Sequence, residues 1–228
     1  RDSGREYSVY NSTNFRNYSV IEDSGEGERT SFIPGPFFKA IQSPSSTTNN
    51  SRVDGTITNF PVIGQLTITF WIKLDNTDTS LRKVISSDSF NLEFENNKLR
   101  FTVTNSSVDT NIWEWSVTLS DLTDWTMVVL SWGGDFLNDT PDLFLNAVPQ
   151  ASPTKTGVAT GSTRVALTSL SFFDHYVSAS PLYELQGSLM EMVFYIATKN
   201  SGGALTLYNG GDFYDCLLYT SPSPRDLL

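Results

Sequence analysis

Two carboxylates at alternate positions of one segment are the first candidates for chemistry in this sequence. In NLEFE, residues 91–95, apolar and polar residues alternate, so a strand would place Asn91, Glu93 and Glu95 together on the face opposite the core. A retaining glycoside hydrolase needs one carboxylate as nucleophile and a second as acid and base, roughly 5–5.5 Å apart. The alternative, which we favour, is a solvated strand face with no catalytic role.

The single histidine, His175, is the second candidate and lies between Asp174 and Tyr176 in the segment SFFDHYVSASP. These three side chains could contact a ligand at one edge of the fold. A Ser-His-Asp triad or a zinc site would need further partners. The sequence contains no Gly-x-Ser-x-Gly, His-Glu-x-x-His or Walker-type pattern that would supply them. A loop position without chemistry is therefore favoured, with ligand contact as the alternative.

Tryptophans could provide a stacking surface for a sugar, and Trp71 is the main candidate. In LTITFWIKL (Leu66–Leu74), five apolar residues alternate with Thr67, Thr69, Trp71 and Lys73, which share the other face. Trp71 could therefore either pack or stand exposed as a binding surface. The face formed by Trp113, Trp115, Val117 and Leu119 is instead predicted to be core, and Trp125 is predicted to be buried.

Composition limits the possible partners of the chain. Its 228 residues carry a net charge of −10, whereas nucleic acids and anionic membranes attract clustered lysine and arginine. No apolar run approaches the 18 or more residues of a membrane span. The sequence begins with Arg1 and shows no basic-then-apolar leader, which predicts a fragment of a longer protein. Glycans, proteins and divalent cations remain compatible with this charge.

The C-terminal segment differs from the rest of the chain. CLLYTSPSPRD (Cys216–Asp226) resembles, residue for residue, the translated Nextera transposase adapter of sequencing libraries. Residues 216–228 are therefore predicted to be an adapter artefact at the end of a tail that starts at 212. Because Cys216 is the only cysteine, the genuine chain is predicted to have no disulfide.

The elements that must position these side chains are predicted to be almost entirely strands. Short β-prone segments alternate with turn residues, which is typical of a sandwich or barrel. One short helix is predicted at about 202–208. The predicted strands are 37–42, 52–58, 66–74, 83–86, 90–95, 98–104, 113–119, 125–132, 142–147, 165–173 and 186–197.

Five segments in order resemble the laminin-G-like branch of the concanavalin-A-like jelly rolls. They are LTITFWIKL, RKVISSDSFNLEFENNKLRFTV, LTDWTMVVLSW, DLFLNAVPQA and LQGSLMEMVFYIATKNSGGALTLYNGG. The resemblance implies an all-β, two-sheet antiparallel jelly-roll sandwich over residues 36–211, preceded by a linker or the end of another module at 1–35. The family commonly has Gly in the hairpin turn where this chain has Ala147, which predicts an altered turn.

The resemblance also implies functions, since this sandwich occurs in lectins, glycosidases and protein-binding modules. The laminarinase-type motif begins with a nucleophilic Glu where this chain has Asn91, and an amide cannot form the glycosyl-enzyme ester. The chain is therefore predicted to be a non-catalytic recognition module for a glycan or a protein, within an extracellular, cell-surface or virion protein. A polysaccharide hydrolase or lyase and a structural spacer are the alternatives. Trp71, Asp174, His175 and Tyr176 are the candidate ligand contacts.

Calcium is the one cofactor that the resemblance suggests, because laminin-G-like domains often bind it at one rim. Calcium takes 6–8 oxygen ligands, which carboxylates on loops supply. The best local candidates lie in GGDFLNDTPD: Asp135, Asn138, Asp139 and Asp142, with Asp174 as a distant contributor. An ordinary solvated loop is the alternative interpretation.

Overall fold

The structure, a computed structural model, describes residues 31–34, 39–43, 53–56, 64–77, 79–104, 110–157, 169–173, 185–195, 198 and 201–208. These residues form fourteen strands, a 3-10 turn at Leu119–Leu122 and one α-helix, α1, at Ser201–Tyr208. The strands are β1 (Ser31–Pro34), β2 (Lys39–Gln42), β3 (Val53–Thr56), β4 (Leu66–Leu74), β5 (Arg82–Ser87), β6 (Phe90–Glu95), β7 (Lys98–Thr104), β8 (Thr110–Ser116), β9 (Thr126–Trp132), β10 (Asp142–Leu145), β11 (Val148–Pro149), β12 (Thr154–Thr156), β13 (Ser169–Phe172) and β14 (Gly187–Tyr195).

The strands of the described residues form two seven-stranded antiparallel sheets, which confirms the predicted all-β sandwich. Sheet A has the order β1-β2-β14-β4-β9-β10-β11, and sheet B has the order β12-β8-β7-β6-β5-β13-β3. Half of the neighbouring strand pairs are not consecutive in sequence, as β14 beside β4 illustrates. This connectivity lets consecutive strands pass from one sheet to the other.

The main core lies between the two sheets and follows the predicted alternation. The five apolar residues of β4 that alternate with Trp71 all face it. Leu92 and Phe94 of β6 also face this core. At its centre, the Trp113 ring stacks on Phe101 with centroids 5.9 Å apart. The inward faces predicted from the alternation of single strands are therefore confirmed.

A second, smaller cluster covers the outer face of sheet A. Its buried members are Ala40, Trp71, Met127, Val129, Phe144, Met190 and Ala204, and Trp125 packs against them partly buried. Ala204 belongs to α1, so the helix lies against this outer face. Sheet A is consequently apolar on both faces around Trp71.

Hairpin turns with left-handed backbone occur in both sheets. Asn96 and Asn97 connect β6 and β7 with φ of 51° and 57°, and Asn146 and Ala147 connect β10 and β11 with φ of 49° and 64°. Asparagine tolerates this region better than alanine does, since its short polar side chain bonds locally. The turn at Ala147 is two residues long although it lacks the glycine. The alanine adopts a left-handed φ, so its backbone is strained.

The structure differs from the predicted elements at several points. β8 ends at Ser116, because the chain then turns into the 3-10 segment, which still buries Leu119 against the core. The edge strands β1 and β12 were not predicted; β1 lies within residues 1–35, predicted to be a linker or the end of another module, and pairs with β2. Strand β14 contains a bulge, where Glu191 has a φ of 51°. The predicted tail, 212–228, lies outside the described residues.

Candidate functional site

The two candidate catalytic carboxylates lie on the outer face of sheet B, as predicted, within a row of alternating charge. The register of β5 to β8 places Lys83 beside Glu93, Glu93 beside Arg100, and Arg100 beside Glu114. Residues in directly opposite positions of neighbouring strands have side chains close enough to interact. We call Lys83, Glu93, Glu95, Lys98, Arg100 and Glu114 the charge ladder of sheet B.

Arg100 is the centre of this charge ladder. Its guanidinium lies 3.2 Å from Glu93, 2.7 Å from Glu95 and 2.8 Å from Glu114. On the side of β5, the ammonium of Lys83 forms an ion pair with Glu93, and both side chains are more than nine-tenths buried. Lys98 adds a contact of 2.9 Å to Glu114. Three cations thus neutralise three carboxylates.

The pKa values of the ladder reflect this pairing. Burial opposes the charge of Arg100, but hydrogen bonds to Glu114 and Glu93 outweigh it and raise the pKa of the guanidinium. Hydrogen bonds from Lys98 and then Arg100 lower the pKa of Glu114, although burial acts in the opposite direction. Glu114 therefore stays ionised at neutral pH and keeps its two partners in place.

This arrangement bears directly on the candidate acid and base. Both Glu93 and Glu95 contact Arg100, and Asn91 accepts a hydrogen bond of 2.8 Å from Ser86. Ion pairs between opposite charges on adjacent strands are typical of a structural network, because such pairs stabilise a sheet. The ladder therefore resembles a structural ion-pair network more closely than a catalytic pair.

The predicted calcium loop, residues 133–142, is closed by its own hydrogen bonds. The Asp135 carboxylate accepts hydrogen bonds from the backbone of Leu137 (2.8 Å) and from both amides of Asn138. Asp139 accepts one of 2.7 Å from the backbone of Asp135. The Asn138 side chain, followed by these backbone donors, lowers the pKa of Asp135. The loop thus has a defined shape that its own donors maintain.

Within the residues that the structure describes, no group of three or more acidic, histidine or cysteine side chains is placed to hold a metal ion. Asp142 opens β10 with an exposed side chain, on the strand that follows the loop. Lys155 on β12 donates a 3.0 Å hydrogen bond to the carbonyl of Phe136, so a cation already anchors the loop. Calcium binding at Asp135, Asn138, Asp139 and Asp142 stays a prediction.

Trp71 lies in the cluster beneath α1 and is only 9% exposed. A buried ring has little face to offer a sugar, so its position favours the packing role. Trp125, two residues before Met127 on the same face, is the half-buried tryptophan of this region. The remaining ligand candidates, Asp174, His175 and Tyr176, lie outside the described residues.

Glu93 and Glu95 were predicted from the sequence to share a strand face, but their partners were not predicted. A signal was present, because KLRF in β7 and WEW in β8 carry charges at alternate positions. Which of these charges meet depends on the register between four strands, and single-strand patterns do not contain it.

Comparisons with known proteins place the fold. A laminin G family model described as the concanavalin A-like lectin/glucanases superfamily matches residues 45–208. The comparison with curated proteins found no match. No helix among the described residues has the length and apolar character needed to span a membrane.

Several solved toxin domains are similar in structure. The binding domain of botulinum neurotoxin DC, solved with rat synaptotagmin II, aligns with a TM-score of 0.64 and 14% identity over 92% of this chain and 52% of its own. The binding domain of Paraclostridial mosquitocidal protein 1 gives 0.61 and 12%, over 84% and 47%. The botulinum neurotoxin serotype D ligand binding domain, solved with N-acetylneuraminic acid, gives 0.60 and 11%, over 85% and 46%.

This chain thus spans about half the length of the solved structures that it matches. At such low identity the likeness extends to the fold alone. The family match covers well over half of the chain and agrees with the two antiparallel sheets. The chain therefore belongs to the concanavalin A-like lectin/glucanases superfamily.

Proposed function

We propose that the chain is a non-catalytic recognition module, which binds a glycan or a protein partner within a larger extracellular, cell-surface or virion protein. The observation that carries this proposal is the state of the two strand carboxylates. Both Glu93 and Glu95 form ion pairs with Arg100, and Glu93 also pairs with Lys83. Both groups are therefore engaged with basic side chains of their own sheet, which supports a structural role for them.

The chemistry of the acid that a glycosidase requires disfavours the catalytic alternative. In a retaining mechanism one carboxyl group must be protonated when the glycosidic bond breaks, and enzymes raise its pKa for that purpose. Glu93 instead forms ion pairs with Lys83 and Arg100. Asn91, at the position of the family's nucleophile, cannot form the covalent intermediate.

Similar structures support a binding role. Two of the similar toxin domains were solved with a ligand, one with the sugar N-acetylneuraminic acid and one with the protein synaptotagmin II. Both kinds of ligand are compatible with this chain, whereas its net charge of −10 disfavours nucleic acid and anionic membrane surfaces. The extracellular or virion setting and the calcium site near Asp135 are parts of the proposal that rest on family resemblance.

The test combines binding and activity measurements on the purified chain. We expect binding on a glycan array or in a pull-down with candidate protein receptors, and no reducing-sugar release from laminarin, agar or alginate. Sugar release that disappears in Glu93→Gln or Glu95→Gln would overturn the proposal in favour of an enzyme. Blank results in the array, the pull-down and the activity assay would favour a structural spacer.

A further inference from the structure

The outer face of sheet A carries a polar row beside its apolar cluster. The register of β2, β14 and β4 places Gln42 opposite Ser188, and Ser188 opposite Lys73. Trp125 directly precedes β9, whose first residue, Thr126, pairs with Ile72 of β4. Gln42, Ser188 and Lys73 therefore line up across three strands next to Met190 and Trp71, and Trp125 packs against the same cluster. We call Gln42, Lys73, Trp125 and Ser188 the sheet A row.

Lys73 differs from the other cations whose side chains the structure describes. The cations of the charge ladder pair with glutamates, Lys155 donates to backbone carbonyls, and Arg82 also has a partner. Lys73 alone among them makes no hydrogen bond or ion pair with another described residue, although it is half-buried on β4. Its ammonium therefore has no described anionic group to bind. An anionic ligand group would supply the missing partner.

Trp125 provides the apolar element of the row. It packs against the cluster that contains Trp71 and Met127, yet it remains half-buried. Because the cluster packs against one side of the ring, the side chain is already ordered, and ligand binding costs little side-chain entropy. Tryptophan combines a large apolar face with one N–H donor, which suits ligands that are both apolar and polar.

Polar groups complete the sheet A row on its far side. Gln42 donates a hydrogen bond of 3.0 Å to the exposed carboxylate of Asp75, just beyond the end of β4. Between Gln42 and Lys73 lies Ser188, whose hydroxyl is buried and has no hydrogen-bond partner within the described part of the chain. A ligand hydroxyl that reaches Ser188 would supply this partner.

We propose that the sheet A row is a binding site for a sugar residue that carries a carboxylate. Lys73 forms a charge-assisted hydrogen bond with the carboxylate, and the Trp125 ring covers an apolar face of the sugar. Gln42, Asp75 and Ser188 receive the hydroxyl groups. This inference rests on the proposed recognition function and narrows it to acidic glycans at one location.

The experiment titrates the full chain with N-acetylneuraminic acid and glucuronic acid, with galactose and glucose as neutral references, by saturation-transfer NMR and calorimetry. Lys73→Met keeps the apolar stem and removes the charge, and Lys98→Met removes a paired lysine from the opposite sheet as the matched control. Trp125→Ala and Trp125→Phe test the ring. Thermal melting of each variant identifies any that fail to fold.

We expect acidic sugars to bind and neutral sugars to bind at least tenfold more weakly. Lys73→Met weakens acidic-sugar binding by about ten- to a hundredfold, because a hydrogen bond to a charged group is lost. Lys98→Met leaves it unchanged. Trp125→Ala weakens binding by about fivefold, and Trp125→Phe restores part of it.

Unchanged affinity in Lys73→Met, or equal binding of neutral and acidic sugars, would overturn the site. A glycan array that is positive only for neutral glycans would also overturn it, yet would leave the recognition function standing. If no acidic sugar binds but a protein partner does, the site is likewise overturned and the recognition function still stands. Absence of every ligand would overturn both.

Discussion

The outer faces of the two sheets are stabilised in different ways. On sheet B, Lys83, Glu93, Arg100 and Glu114 are paired across four strands, and no cation of the charge ladder lacks a carboxylate. On sheet A, an apolar cluster beneath α1 is followed by a polar row in which Lys73 has no partner among the described residues. On sheet B, every charged group of the ladder already has a partner in the chain. On sheet A, Lys73 has none among the described residues and is the group that we propose binds a ligand.

This difference has a physical origin in cross-strand pairing. Opposite charges that face each other on adjacent strands stabilise a sheet and fix its register. Sheet A obtains the same stability from burial of Trp71, Met127 and Met190 beneath a helix. The polar side chains beside this cluster form the proposed ligand site.

The largest effect is expected from removing Trp71, which would break the apolar cover of sheet A. Trp71→Ala is expected to lower the free energy of unfolding by about 3–5 kcal/mol, because a buried aromatic ring leaves a cavity. Urea denaturation measures the loss, and Trp71→Phe should lose less. Unchanged stability combined with lost glycan binding would instead identify Trp71 as a ligand contact.

The next effect concerns the charge ladder of sheet B. Glu93→Gln leaves the buried ammonium of Lys83 without its carboxylate and is expected to cost about 3 kcal/mol. Glu95→Gln, at a side chain that is 30% exposed, should cost less than about 1 kcal/mol. Equal losses in these two variants, measured by denaturant unfolding, would contradict the view that Glu93 is the buried member of the ladder. The double variant Lys83→Met/Glu93→Leu should regain most of the stability.

A smaller change of opposite sign compares the hairpin turns of the two sheets. Ala147 has a φ of 64° in the β10–β11 turn, where glycine has no steric penalty. Ala147→Gly is expected to stabilise the chain by about 1 kcal/mol. In sheet B, Asn97→Gly should gain less, because asparagine already tolerates φ of 57°. A melting temperature that falls in Ala147→Gly would show that the alanine methyl group contributes more than the strain removes.

The smallest expected effect is on the pH dependence of folding stability, which should differ between a glutamate of sheet A and a glutamate of sheet B. Burial raises the pKa of Glu191 in sheet A above its ordinary 4.5, so ionisation destabilises the fold once the pH exceeds that raised value. Glu191→Gln should therefore be more stable than the wild-type chain at neutral pH, with the gain vanishing below about pH 4.5.

Glu114 in sheet B should show the opposite sign. Its lowered pKa means that its contribution is present above 4.5 and is lost as the pH falls through the folded value. Stability curves of Glu191→Gln and Glu114→Gln between pH 3 and 7 test both signs. Parallel curves for the two variants would contradict the assigned environments.

Several elements could be predicted from local pattern alone. Strands 66–74, 90–95 and 98–104 match β4, β6 and β7 residue for residue, because each has strict alternation bounded by turn residues. Leu119 was correctly predicted to be buried, yet it lies in a 3-10 turn and not in a strand. Burial and backbone conformation are separate properties, and alternation reports only the first.

The fold class, the inward faces of the strands and the absence of the family's nucleophile at position 91 could be predicted from the sequence alone. These follow from periodicity and residue type, which are local properties of the chain. Three features are visible only in the folded chain: Arg100 contacts three glutamates, α1 covers Trp71, and Lys73 has no described partner. Each of these depends on which strands become neighbours and in what register. Such long-range pairings are set by the energy of the whole sandwich, and no single segment encodes them.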